Sequence, residues 1–327
     1  MRRLLPLAVA STLVVAACSG GDDAADTPSG SNEPGTEAPA ATTQPTLPDV
    51  GDRCETVLDP ADYLDREVPA AVRPCELPTD LVKQLIRPGS GRVAEAGDGV
   101  VFDATVIRAV DGEVVDSSWV TGRPIDIPVV GRGAAPTEGL DDGLIGVQAG
   151  ELLRLDVPAE LAFGDSPPGG GDGVIQAGDP LTYVIEVRVV TPLLVPEDAP
   201  LDLTLPTSVG ATEVVIDDLI VGDGKVVEVG DTVIIALLIA RGDNLAIFFN
   251  SWDRRSPLSI PLDASRMDDP EPVTLPGSFE GLQGARVGGR RVITMPPAAA
   301  FGDEGMPTMG LPAGTDVVVV VDILGAY

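Results

Sequence analysis

Residues 139–164 read GLDDGLIGVQAGELLRLDVPAELAFG, and residues 277–302 read GSFEGLQGARVGGRRVITMPPAAAFG. The two stretches align without a gap and share five glycines, one leucine, one proline, one alanine and one phenylalanine. Such a repeat has to be interpreted before any single motif, because it decides how the chain is divided. Two copies are too few for a solenoid. Copies of a unit of about 100 residues predict two duplicated domains instead.

The first copy predicts a short helix followed by a strand. Thr137 is a suitable N-cap, because its hydroxyl can accept a hydrogen bond from a free backbone N–H of the first turn. Leu140 and Leu144 are spaced to share one helix face. Gly150 is expected to end the helix. Leu152–Val157 alternates and is followed by a proline, which is typical of a strand that ends there.

The order helix, glycine, strand and P-x-x-x-A-F-G resembles the FK506-binding-protein (FKBP) family of peptidyl-prolyl isomerases. Val114–Ser118 (VVDSS), after Asp111-Gly112, and Tyr183–Val187 (YVIEV) add to the resemblance in the first copy. Matching stretches of the second copy are Phe249–Trp252, Gly310–Thr315 and Val317–Leu324. The resemblance implies an α+β fold with two FKBP-like domains, each an antiparallel β-sheet wrapped on one short helix. We call residues 81–190 domain one and residues 212–327 domain two.

Composition restricts the kinds of partner and chemistry. The chain of 327 residues is long enough for about two domains. Its net charge of −30 argues against nucleic acid as a partner, because phosphate binding needs clustered Lys and Arg. The chain has no histidine. A cysteine nucleophile would lack its usual base, and two free cysteines would make a poor metal site, so we predict neither a metal nor a cofactor.

The amino-terminal residues predict export. Residues 1–18 have a basic start and an apolar run too short to span a bilayer, as in a signal peptide. Val15–Cys18 resembles the bacterial lipobox, which implies lipidation of Cys18; a plain cleaved signal with a chance cysteine is the alternative. Residues 19–49 are low in complexity and predict a disordered tether. We therefore expect an extracytoplasmic protein anchored to the membrane by lipid on Cys18.

Two segments flank domain one. Residues 50–80 form a pre-domain segment that contains Cys54 and Cys75. Two thiols left over outside the cytoplasm usually pair, so we predict a disulfide, with free thiols as the alternative. Residues 191–211 are acidic and rich in proline, and they predict an extended linker between the domains.

The absence of histidine does not count against isomerisation of an X–Pro bond, which needs no nucleophile or general base. The barrier, about 18–20 kcal/mol, comes from amide resonance. An apolar pocket with a few fixed hydrogen bonds lowers it by favouring the twisted amide, which has less charge separation.

The resemblance assigns a pocket to domain one. Phe163 matches the family's ring before glycine, and Tyr183 matches the ring on the closing strand. Val115–Asp116 matches a Phe-Asp pair in which the acid is kept and the ring is lost. Leu140 stands where the pocket floor is typically Trp, and Thr137 stands where a backbone N–H meets the ligand carbonyl. The implied set is Asp116, Phe163, Tyr183, Val115, Ile125, Thr137, Leu140 and Ile175.

Domain two departs further from the family pattern. Phe249 is matched to the ring of the Phe-Asp pair and Asn250 to its acid, while Ser278 falls where the floor Trp would be. The implied set is Phe249, Asn250, Leu258, Leu275, Phe301 and Leu311. For Phe163 and Phe301 the alternative is that the rings only fill core space.

These observations predict a peptidyl-prolyl isomerase that acts on X–Pro bonds of exported or envelope proteins. Because the pocket has few aromatic rings, we expect weak activity that is stronger in domain one. The expected partners are proline-containing polypeptides, and we expect a monomer. A non-catalytic peptide-binding or chaperone lipoprotein on the same fold is the first alternative, and a structural or solute-binding envelope lipoprotein is the second.

Overall fold

The computed structural model describes residues 45–64, 67–168, 173–263 and 275–327. The signal peptide, Cys18 and the tether up to residue 44 lie outside the described residues. Within these ranges, no helix has the length and apolar character needed to cross a bilayer.

Domain one forms an antiparallel sheet of six strands in the order β1-β5-β6-β2-β3, with β4 also paired to β2. The strands are β1 (Val82–Arg87), β2 (Gly99–Arg108), β3 (Val114–Ser117), β4 (Ile125–Ile127), β5 (Leu152–Val157) and β6 (Leu181–Thr191). The helices up to this point are α1 (Ala61–Leu64), α2 (Ser118–Thr121) and α3 (Glu138–Gly143). Of these helices, α1 lies in the pre-domain segment, and α3 packs on the inner face of the sheet.

Domain two repeats this plan with the order β7-β11-β12-β8-β10, and β9 pairs with β8. Its strands are β7 (Val215–Ile220), β8 (Thr232–Arg241), β9 (Ile247–Asn250), β10 (Leu258–Pro261), β11 (Arg290–Met295) and β12 (Val317–Ala326), and its helices are α4 (Ser251–Arg254) and α5 (Pro276–Leu282). The predicted α+β class with two duplicated domains is therefore confirmed. In addition to the predicted helix, each domain has a single-turn helix directly after its third strand.

The helix α3 begins where the sequence predicts. Thr137 is extended, and its Oγ1 accepts a hydrogen bond from the backbone N–H of Leu140 at 3.2 Å. Leu140 and Leu144 are both buried in the core of domain one. The expectation that Gly150 ends the helix is wrong, because the helix ends at Gly143. Gly150 instead lies at φ +80° in the turn that leads into β5.

The sheet of domain one is covered on both faces, and all six residues of β5 are buried. The inner face packs on α3. The outer face is covered by the pre-domain segment, in which Tyr63 packs with Ile86, Leu152 and Val184. The predicted disulfide is confirmed: Cys54 and Cys75 are bonded, and their Cα atoms are 4.8 Å apart.

An ion pair lies buried under the pre-domain segment. Arg154 Nε donates to Asp156 Oδ2 at 3.0 Å, and Arg154 Nη1 donates to the carbonyl of Glu55 at 3.0 Å. Asp156 Oδ1 also accepts a hydrogen bond from Thr182 Oγ1 at 2.7 Å. Each charge is therefore paired and hydrogen-bonded, and these interactions offset the free energy of removing the charge from water.

The linker is packed on domain two. Leu194 is buried in a cluster with Leu238, Trp252 and Val318, on the outer face of the second sheet. Ser208 Oγ donates to Asp316 Oδ2 at 2.7 Å. Residues 191–211 thus cover domain two much as the pre-domain segment covers domain one.

Candidate functional site

Six of the eight residues predicted for the pocket of domain one lie together on its inner core. Leu140, Ile175 and Tyr183 are buried members of that core. Val115, Ile125 and Phe163 are partly buried and pack against it. Strands β3, β4 and β6, helix α3, the turn after β5 and the loop before β6 therefore bring these side chains together in an apolar surface with a half-exposed ring.

The two polar residues on the inner side of this surface are buried. Tyr183 is 5% exposed and Thr137 is 4% exposed. Burial raises the pKa of the Tyr183 phenol, and a hydrogen bond with Thr137 partly opposes this shift. A tyrosine is neutral at physiological pH at its ordinary pKa near 10, and burial of Tyr183 only extends that range upward. Thr137 thus serves as both a helix cap and a partner for the phenol.

Asp116 is exposed at the rim rather than buried in the pocket. Its Oδ1 accepts a hydrogen bond from the backbone N–H of Ser117 at 2.7 Å. Asp103 is a buried acid that the sequence analysis did not single out, but it lies on the outer face of the sheet, because its neighbours Phe102 and Ala104 in β2 belong to the inner core. Asp103 accepts hydrogen bonds from Ser118 Oγ at 2.6 Å and from Arg188 Nε at 2.7 Å.

Domain two contains an apolar cavity of about 450 Å³ above its inner core. We call it the large cavity. Three predicted residues, Leu258, Leu275 and Phe301, contribute to its wall, and so does Ser278 at the helix α5. The remaining lining residues are Ile235, Leu237, Ile260, Pro276, Ala300 and Val319.

A second apolar cavity of about 270 Å³ adjoins the first and shares Phe301 with it. We call it the small cavity. Its wall also includes Ile239, Phe248, Phe249, Arg254, Met306 and Met309. The rings of Phe248 and Phe301 meet edge to face with centroids 5.8 Å apart, and the Arg254 guanidinium lies 4.4 Å above the Phe249 ring. The sequence analysis did not identify Phe248, Arg254 or the two methionines.

Two residues predicted for this pocket line neither cavity. Asn250 caps α4, since its side-chain oxygen accepts hydrogen bonds from the N–H groups of Trp252 at 2.9 Å and Asp253 at 3.4 Å. Leu311 is fully buried in the core of domain two.

Equivalent hydrogen bonds fix the correspondence between the two domains. Ser118 Oγ accepts from the backbone N–H of Ala104 at 2.9 Å, and Ser251 Oγ accepts from that of Leu237 at 2.8 Å. The serine follows the third strand in both copies, so Ser118 and Ser251 are equivalent.

The matching of Phe249 to the ring and Asn250 to the acid of a Phe-Asp pair is therefore wrong by one residue. Asp116 is the last-but-one residue of β3, and Phe249 holds that place in β9, where it pairs with Ile239. Phe248 consequently corresponds to Val115. The pairing of β8 with β9 is irregular at Phe248, and both Phe248 and Phe249 pack against the core of domain two.

No group of three or more His, Cys, Asp or Glu side chains in the described ranges is arranged to hold a metal ion. The apolar walls described above offer few polar groups for a cofactor.

Comparison with known proteins identifies the family. The family model described as FKBP-type peptidyl-prolyl cis-trans isomerase matches residues 91–188 and 224–324. An FK506-binding protein of Streptomyces anulatus is 36% identical over 115 residues, which are 35% of this chain and 90% of that protein. A probable FK506-binding protein of Corynebacterium glutamicum is 33% identical over 125 residues, 38% of this chain and 96% of that protein.

A longer relative matches across both domains. The mouse peptidyl-prolyl cis-trans isomerase FKBP10 is 27% identical over 239 residues, which are 72% of this chain and 36% of that protein. The family model covers more than half of the chain in two separate regions, one in each domain. The chain therefore belongs to the FKBP-type peptidyl-prolyl cis-trans isomerase family and carries two copies of its domain.

Proposed function

We propose that domain one is the principal catalytic domain of this isomerase, and that its substrates are X–Pro bonds in exported or envelope proteins. The supporting observation is the half-buried Phe163, which packs with Val115 and Ile125 on a core that includes Leu140 and Tyr183. This arrangement presents a partly exposed apolar surface over a buried base, which suits a prolyl ring.

The reaction requires that the amide before proline loses its planarity. In the twisted state the resonance between nitrogen and carbonyl is lost, and the charge separation falls. An apolar surface favours this less polar state over the planar amide, so it binds the transition state more tightly than the ground state. The Phe163 ring would cover the prolyl ring, and the backbone N–H of Thr137 would orient the substrate carbonyl, as the family resemblance implies.

Proton transfer has no part in this mechanism. Tyr183 is buried, and burial raises the pKa of its phenol, so it contributes a neutral wall rather than an acid or base. The absence of histidine from the chain agrees with a mechanism based on shape and polarity.

We also propose an extracytoplasmic location, with lipid on Cys18 as the anchor and a monomeric folded part. The Cys54–Cys75 disulfide supports this location, because structural disulfides persist in oxidising compartments. In cells, Cys18→Ala should release the protein from the membrane fraction. Retention of the variant in that fraction would contradict the lipid anchor.

The catalytic assignment is tested by NMR exchange on a short Ala-Pro peptide with the full chain. Phe163→Ala should lower kcat/KM at least tenfold, whereas its counterpart Phe301→Ala should change kcat/KM less than threefold. The reverse pattern would place catalysis in domain two. Absence of rate enhancement with the unaltered chain would overturn the assignment altogether.

A further inference from the structure

We infer that domain two binds polypeptide segments in which two neighbouring large apolar residues have an acidic residue beside them. This binding does not require proline in the bound segment. The two adjoining cavities of domain two form this site. The inference goes beyond the isomerase reaction, which we assign to domain one.

The large cavity exists because two side chains of domain one have small counterparts in domain two. Leu140 of α3 is 2% exposed and fills the core, whereas its counterpart in the repeat, Ser278, lines open space. Tyr183 of β6 is likewise buried, and Val319 stands in the equivalent part of β12. In each case domain two has a smaller side chain than domain one, and the difference in volume is available to a ligand.

The large cavity is half open to solvent, and its volume is more than a prolyl ring alone fills. A cavity of about 150 Å³ is enough to bind benzene, which is larger than a pyrrolidine ring. The cavity here measures about 450 Å³. A prolyl ring would leave much of the wall without contacts, and that loss forfeits dispersion energy. A Phe or Leu side chain and its backbone fill the space better.

The small cavity provides a place for a second apolar side chain. Phe301 forms part of both walls, so the two occupants would lie on either side of one ring. Met306 and Met309 contribute flexible thioethers, which adapt to occupants of different shape. In domain one, the counterparts of Phe248 and Phe249 are Val115 and the charged Asp116, so this wall is specific to domain two.

The positive charge at the rim of the small cavity indicates that the bound polypeptide has an acidic residue next to its two apolar residues. Arg254 lies over Phe249, is followed by Arg255, and both are exposed. The exposed Asp253 precedes them, so the local charge of these three residues is still positive on a chain with a net charge of −30. A guanidinium on an aromatic face still presents N–H donors to a carboxylate, and a charge-assisted bond of this type favours an acidic neighbour. The position equivalent to Arg254 in domain one is Thr121.

The test uses the full chain with ¹³C-methyl methionine, because the chain has only five methionines. Met306 and Met309 report on the small cavity, while buried Met295 serves as the reference. Three peptides are titrated: acetyl-Ala-Leu-Phe-Glu-Ala-amide, its Lys-for-Glu analogue, and acetyl-Ala-Ala-Pro-Ala-amide. We expect the Leu-Phe-Glu peptide to shift both reporter signals at the lowest concentration. The Lys analogue should bind at least threefold more weakly.

Substitutions in the walls of the two cavities test whether the peptide binds there. Ser278→Leu copies the residue of domain one into the large cavity and should weaken binding of the Leu-Phe-Glu peptide at least tenfold. Val319→Tyr fills the same space from the opposite wall and should do the same. The matched control Ser259→Leu, at an exposed position of β10 outside both cavities, should leave the Kd unchanged. Arg254→Gln should abolish the difference between the Glu and Lys peptides.

Two results would overturn the inference. One is that the prolyl peptide shifts Met306 and Met309 while the Leu-Phe peptides do not. The other is that Ser278→Leu and Val319→Tyr both leave the Kd within twofold. The isomerase assignment fails separately, since the Phe163→Ala exchange measurement does not depend on peptide binding to domain two.

Discussion

Gly325 of β12 lies against Val189 of β6, so closely that a Cβ on Gly325 would overlap Cγ1 of Val189. The two residues belong to different domains. Around them, Val101 of domain one packs with Ile234 and Tyr327 of domain two. The closing strands of the two repeats thus meet in a small apolar interface that requires a residue without a side chain at its centre.

Gly325→Ala should therefore destabilise the chain. The added methyl group has to displace Val189, and overpacking of this kind costs about 1–3 kcal/mol. Val189→Ala removes the group that the methyl group meets. The double variant should accordingly recover at least half of the loss caused by Gly325→Ala. Urea unfolding of the full chain measures both effects.

Gly173→Ala is the matched control, because a Cβ there meets only one atom, at 3.9 Å. It should leave the unfolding midpoint nearly unchanged. Strictly additive effects of the Gly325 and Val189 substitutions would contradict the close contact between them.

The buried Arg154–Asp156 pair supports a second prediction, because the repeat supplies its own apolar replacement. The counterparts of the two residues in β11 are Val292 and Thr294. Arg154→Val alone leaves a carboxylate buried with only Thr182 as a partner, and breaking such a pair typically costs about 3–5 kcal/mol. Arg154→Val combined with Asp156→Thr removes both charges and should cost less than half as much.

Chemical denaturation followed by near-ultraviolet circular dichroism measures this pair of variants. The control is Arg53→Gln, which removes the ion pairs of a well-exposed arginine with Asp62 at 3.1 Å and with Glu55 at 3.8 Å. Exposed pairs contribute about 0–1 kcal/mol, so this variant should be nearly neutral. A double variant as unstable as the single Arg154 variant would argue that the pair itself is stabilising.

The disulfide gives a third prediction. It closes a loop with a sequence separation of 21 residues, for which chain entropy predicts a contribution of about 3 kcal/mol. Its removal also loosens the cover over Leu152 and Val184. Cys54→Ala with Cys75→Ala should lower the stability of domain one by about that amount and make the pre-domain segment sensitive to protease. A reducing agent should have the same effect on the unaltered chain and none on the variant.

The sequence was sufficient for several local features, although Gly150, which was expected to end α3, lies in the turn before β5 instead. The cap at Thr137 and the shared face of Leu140 and Leu144 depend on residues only a few positions apart. The duplicated motif predicted two domains of one class. The pairing of Cys54 with Cys75 followed from their number and the expected compartment.

Features that depend on contacts between segments distant in the chain could not be predicted from the sequence. The dipeptide Phe249-Asn250 was matched to a Phe-Asp pair because the two look alike, whereas the register is given by the hydrogen bond from Leu237 to Ser251 and by the pairing of Phe249 with Ile239. The open space beside Ser278 arises where α5 faces β12; the sequence indicated a small residue in place of the floor ring, but not the volume that this residue leaves open. Missing rings in domain two suggested a weaker pocket, whereas the structure has a large apolar cavity at that place.

A fourth prediction concerns alkaline pH. Burial raises the pKa of Tyr63 to about 12 from its ordinary value near 10. The folded chain therefore holds the phenol proton more tightly than the unfolded chain. The stability linked to this proton is fully present below pH 10 and is lost as the pH rises from 10 to 12. Two pH units correspond to about 3 kcal/mol.

Tyr63→Phe removes this titrating group but keeps the ring that packs on Leu152 and Val184. The free energy of unfolding of the variant should therefore fall less steeply between pH 10 and pH 12 than that of the unaltered chain. The variant should be slightly less stable at pH 8, because the phenol loses its 3.4 Å hydrogen bond to Glu55 Oε2. Burial also raises the pKa values of Tyr183 and Tyr327, so some slope should remain in the variant. Urea unfolding at half-unit steps from pH 8 to pH 12 checks this, and identical slopes for the two proteins would show that the phenol of Tyr63 is not buried in solution.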